Sequence, residues 1–116
     1  MKSDAVYLRH ILDASTRIEG YARVGHDRFL AEPHWHDAII RQLEIVGEAT
    51  KRLSPDLRAR HPDLPWRRIA GLRDVLIHQY MGVDLEAVWG TVLDHVPMLR
   101  QRVEQILASS HGCPEP

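Results

Sequence analysis

A single cysteine, Cys113, stands among the 116 residues, so no disulfide can form within one chain. A chain of this length hides about two-thirds of its unfolded surface on folding and needs no such staple. The cysteine usage fits a reducing compartment. No stretch approaches the ~20 apolar residues of a membrane span. Met1 to His10 lack the basic start and apolar run of a signal peptide, and a cytoplasmic location with no membrane contact is expected. Glycine-rich phosphate loops are missing, and no run of β-branched residues alternates with period two, which argues against strands. Excess charge is missing too: 15 basic against 16 acidic residues leave a net charge of -1, so no global field draws the chain to nucleic acid.

Apolar residues do recur at helical spacing, which points to an all-α domain over residues 1–110 with a polar tail over 111–116. The first helix is expected after Ser3 and runs to about Ala31, with Tyr7, Ile11, Ala14, Ile18 and Tyr21 as its seam. A second starts near Pro33 and reaches Leu53, burying Ile39, Ile40, Leu43, Val46 and Gly47, until Ser54-Pro55 stops it. Residues 55–65 hold prolines and alternating charge and suit a connector with one short helical turn. A third main helix covers Trp66 to Tyr80 and ends at Gly82. Asp84 can cap the fourth, whose seam Leu85, Trp89, Val92, Val96, Leu99, Val103 and Ile106 is interrupted by Pro97, where a bend is expected. From Ser109 onward the chain suggests fraying. Four main helices with a short connector helix predict an antiparallel up-and-down helical bundle.

Charge is local where it is not global. Between Lys51 and Arg73 seven Lys or Arg face two Asp, a balance of +5. A block of this kind is commonly a solvated face, and it becomes a phosphate-tracking surface only beside a site that binds nucleic acid. At ~100° per residue, Arg73 falls in the middle of the apolar arc of Ile69, Leu72, Leu76, Ile77 and Tyr80. A guanidinium there needs an internal carboxylate, such as Glu44 or Glu48, or an anion in a cleft. Asp74 precedes His78 by four residues, so carboxylate and imidazole share a face and the former can orient the latter.

The string Gly71-Leu72-Arg73-Asp74-Val75-Leu76-Ile77-His78-Gln79-Tyr80 resembles the signature of the HEPN superfamily, and within it the HepT-like toxin branch. Flanking segments agree: Ile45-Val46-Gly47-Glu48-Ala49, Leu64-Pro65-Trp66, Ile69-Ala70-Gly71, and Met81-Gly82-Val83-Asp84 with Val88-Trp89. The resemblance covers about Asp4 to Leu107 and implies a dimeric helical bundle acting as a metal-independent endoribonuclease. It gives catalytic roles to Arg73 and His78, with Asp74 standing where an asparagine often follows the arginine. It implies no cofactor. It also implies a partner, a minimal (MNT-type) nucleotidyltransferase that acts as antitoxin by adenylylating Tyr80.

The chemistry can be argued beside the resemblance. RNA cleavage at a 2'-hydroxyl needs a base, an acid for the leaving 5'-oxygen and a cation for the phosphorane, which histidine and arginine supply. Arg73 and His78 lie ~140° apart on one helix, so two copies related by a twofold axis combine them on one phosphate more easily than one copy can. Arg67 and Arg68 are the candidate RNA-backbone contacts beside them. The alternative is a non-catalytic helical module that binds a nucleotide or a nucleotidyltransferase partner. His34 and His36, two residues apart, point to different sides and have no third ligand nearby, and no metal site is expected.

Overall fold

A computed structural model describes residues 3–72 and 84–112, and every regular element among them is a helix. They are α1 (Asp4–Ala22), α2 (His26–Ala31), α3 (Pro33–Lys51), α4 (Pro55–Arg60), α5 (Trp66–Ala70), α6 (Leu85–Asp94) and α7 (Val96–Gly112). The chain measures 51 × 26 × 24 Å, with α1 packed along both α3 and α7. Among the described residues no helix is long and apolar enough to cross a membrane.

The α1 seam buries Ile11, Ala14 and Ile18, together with Leu8, while Tyr7 and Tyr21 are half-buried at its ends. Ser3 occupies the N-cap position with extended backbone, but its side chain makes no capping bond. The first helix does not reach Ala31 as its composition suggests. It stops at Ala22, and Gly25 takes φ 93° before α2 begins. That backbone region is open in practice only to glycine, so Gly25 can reverse the chain where any other residue would continue it. The break turns Phe29 inward, fully buried with its ring 5.1 Å from that of Trp89.

Pro33 starts α3 in the first-turn position that needs no backbone N–H, and Ile39, Ile40, Leu43, Val46 and Gly47 are all buried on it. Ser54 ends one element and begins the next. Its hydroxyl accepts from the Leu57 amide to cap α4, and Asp4 of α1 accepts from the Ser54 amide at 2.8 Å, tying the connector to the bundle. The last seam is likewise buried from Trp89 to Ile106, with Leu85 half-buried. Pro97 divides it into two helices with His95 between them, because proline has no N–H for the Leu93 carbonyl and its ring crowds the preceding turn. Asp84 caps α6 by accepting from the Ala87 amide at 3.1 Å. Helix α7 runs on through Ser109 and Ser110 to Gly112.

Two apolar clusters result. One gathers Leu8, Ile11, Val46, Leu53, Trp66 and Val103, the other Ile18, Phe29, Ile39, Leu43, Trp89 and Val92. Leu72 packs against both, so the last described residue before position 73 sits where the two halves of the core meet.

Candidate nucleic-acid interface

Helix α5 is five residues long, and two of them anchor it. Trp66 is 6% exposed and its indole N–H donates to the His61 carbonyl at 2.9 Å. Ile69, three residues on, is buried on the same side, and α5 packs on α3. Arg67 and Arg68 therefore face water. The third main helix expected from Trp66 to Tyr80 is interrupted at Gly71, which caps α5 with its amide on the Arg67 carbonyl at 3.1 Å. Arg73, Asp74, His78 and Tyr80 lie outside the described residues, as does the rest of that helix. Glu44 and Glu48, the carboxylates suggested for Arg73, are half-buried on α3.

The basic block between Lys51 and Arg73 divides into spent and open charge. Arg58 donates to the carbonyls of Leu53 and Lys51, at 2.9 and 3.4 Å. Arg60 pairs with Asp56 at 3.3 Å. Asp63 is engaged from outside the block: Arg102 of α7 donates to both of its carboxylate oxygens, at 2.8 and 3.2 Å, and holds its pKa below the usual carboxylate range. Arg67 and Arg68, the backbone contacts expected from sequence, are exposed and have no carboxylate partner among the described residues.

Beside them opens a cleft of about 280 Å³ between α3, α5 and the α6–α7 junction. Leu43, Val46, Ile69, Leu72, Val96 and Leu99 give it apolar walls. Arg68, Thr91 and His95 also border it, exposed or half-buried, and so lie toward solvent. Sequence reasoning did not single out Thr91 or His95. His95 reaches this edge because Pro97 breaks the helix there, and the proline was its only signal.

Other histidines have contacts that sequence spacing did not show. His26 bonds Glu86 at 2.6 Å from sixty residues away, and His61 Nδ1 lies 3.3 Å from Arg102. His34 Nε2 is 3.6 Å from Glu32. Among the described residues no group of three or more His, Cys, Asp or Glu converges as a metal site would require. Trp66 and Trp89 are buried, as core anchors rather than exposed stacking platforms.

The family described as Ribonuclease HepT-like matches residues 11–106. The chain belongs to the HepT-like ribonuclease family. It is 41% identical over 108 residues to a protein of Caldanaerobacter subterraneus subsp. tengcongensis that bears the name of a candidate RNase, covering 92% of this chain and 96% of that one. It is 40% identical over 106 residues to a candidate ribonuclease HepT of Thermococcus cleftensis, covering 90% of this chain and 96% of the relative. No solved structure matches at a significant level. These HepT-like relatives agree with the resemblance read from the residues around Arg73 and His78.

Proposed function

We propose that this HepT-like chain is an endoribonuclease toxin that works as a homodimer without a metal ion, and that a nucleotidyltransferase antitoxin silences it. Family membership, joined to the arginine and histidine five residues apart at positions 73 and 78, carries the reading. In the reaction the 2'-oxygen of a ribose bonds to the adjacent phosphorus and the bond from phosphorus to the 5'-oxygen breaks. His78 takes the 2'-hydroxyl proton, an imidazolium returns a proton to the leaving oxygen, and Arg73 stabilises the charge on the phosphorane. Asp74 orients His78. The open cations Arg67 and Arg68 hold neighbouring phosphates.

Arg73→Ala and His78→Ala should each lower RNA cleavage ~100 to 10,000-fold while circular dichroism stays that of the unaltered chain. Full cleavage by both variants overturns the assignment of catalysis to Arg73 and His78, whereas no cleavage by the unaltered chain favours the non-catalytic module. Cleavage that persists in EDTA checks the metal independence.

Silencing proceeds at Tyr80. Its hydroxyl oxygen attacks the α-phosphorus of ATP, pyrophosphate leaves, and the tyrosine loses its proton. Tyr80 lies seven residues from Arg73, within ~20° on a helical wheel, so the added phosphodiester imitates bound RNA beside the arginine. Tyr80→Phe should cut RNA normally yet resist the nucleotidyltransferase with ATP, read by mass spectrometry and by growth. A Tyr80→Phe chain that gains AMP elsewhere and is fully silenced removes Tyr80 as the switch.

A further inference from the structure

The cleft between α3, α5 and the α6–α7 junction has no role in the chemistry assigned to Arg73, His78 and Tyr80. Its volume, about 280 Å³, lies at the lower edge of small-molecule sites, which run from ~300 to 1,000 Å³. That is room for one planar ring and too little for a partner helix. Ile69, Leu72 and Leu99 offer apolar walls against which a ring face can lie.

The polar border narrows the chemistry. The Thr91 hydroxyl donates to the Ala87 carbonyl at 3.1 Å, which leaves its oxygen as an acceptor. His95 has no side-chain hydrogen bond among the described residues, and its ring offers both an N–H and a lone pair. Arg68 adds an exposed cation with no carboxylate partner among the described residues. An apolar cleft with an acceptor, a donor and a positive charge on its border complements a nucleobase and the phosphate attached to it. Leu72, one wall of the cleft, is bonded directly to Arg73.

We propose that this cleft is a nucleobase subsite that holds one unpaired base of the RNA beside the phosphate being cut. The subsite gives the enzyme a preference for single-stranded RNA, since a base in a duplex cannot enter it. It rests on the ribonuclease reading above.

The test uses 2'-O-methyl RNA tetranucleotides, which cannot be cleaved, with each position made abasic in turn. For the unaltered chain, loss of one particular base should weaken binding about tenfold, the range of one stacked base. Thr91→Trp fills the cleft from its border. It should weaken the intact probe about tenfold and weaken the sensitive abasic probe no further. His95→Ala, an exposed position, provides the same comparison should the tryptophan disturb folding, with a smaller loss expected. Both variants binding every probe as the unaltered chain does overturns the subsite. If the unaltered chain cuts RNA but ignores which base is absent, the subsite falls and the ribonuclease reading stands. Neither cleavage nor binding by the unaltered chain removes both. Thr91→Trp weakening all probes alike while lowering the mass in solution makes the cleft a contact between copies, and that also overturns the proposal.

Discussion

The arginines of α7 and those of α5 stand in opposite circumstances. Arg100 Nε lies 2.5 Å from Glu19 of α1 and also pairs with Glu104, while Arg102 holds Asp63 through two N–H bonds. Both side chains are about three-quarters covered, and both link α7 to another part of the chain. Arg67 and Arg68 are exposed and have no carboxylate among the described residues. A cation that fastens two elements is supplied with its own anion. One that meets a polyanion is better left without, because an internal carboxylate must be displaced before a phosphate can bind. The net charge of -1 thus averages over arginines paired within the fold and arginines left exposed without a carboxylate among the described residues.

The sharpest way to break this comparison is to remove each pair in turn. Replacing Arg67 and Arg68 together with alanine should make the plot of log affinity for single-stranded RNA against log salt shallower by ~0.7 for each arginine, with the melting temperature unchanged. Arg100→Ala should do the reverse, lowering the melting temperature while the salt slope stays put. Fluorescence titration at several salt concentrations and a thermal melt on the same samples read both quantities. If Arg100→Ala flattens the salt slope as much as the α5 pair does, the division between structural and ligand-facing arginines fails.

The sequence makes one side of this division legible and conceals the other. Seam residues such as Ile11, Ile18, Leu43 and Val103 show their burial through helical spacing, because one face of a helix must find the core. The bend at Pro97 and the cap at Asp84 are also visible, since each follows from the chemistry of one residue. The break at Gly25 is not, because glycine permits a positive φ without requiring it. Which arginines of the basic block stay open cannot be read from spacing either. Asp63 is claimed by Arg102, 39 residues away, and only the tertiary fold brings them together. The expected catalytic residues Arg73 and His78 are the case where family likeness, rather than periodicity, made the assignment.

The smallest effect follows from that long-range pair. The Arg102 guanidinium, chiefly through its hydrogen bonds, depresses the Asp63 pKa below the unfolded value, which lies near ~3.9 for an aspartate. The pair therefore stabilises the fold above that pH, and this contribution is lost as pH falls through the depressed folded pKa, because the unfolded chain takes up the proton first. Asp63 is 54% exposed, so solvent and salt screen the interaction and the change is modest. The difference in melting temperature between the unaltered chain and Asp63→Asn should be present at pH 7 and should shrink toward zero near pH 2. A difference constant across that range would mean that the aspartate acts through geometry and not through charge. The consequence reaches the interface as well, since Asp63 lies in the loop that leads into α5. Freed from Arg102, that loop holds Trp66 less firmly, and Arg67 and Arg68 lose part of the fixed position from which they would meet RNA. Asp63→Asn should therefore weaken RNA binding slightly at neutral pH while leaving the number of phosphate contacts, and so the salt slope, as it was.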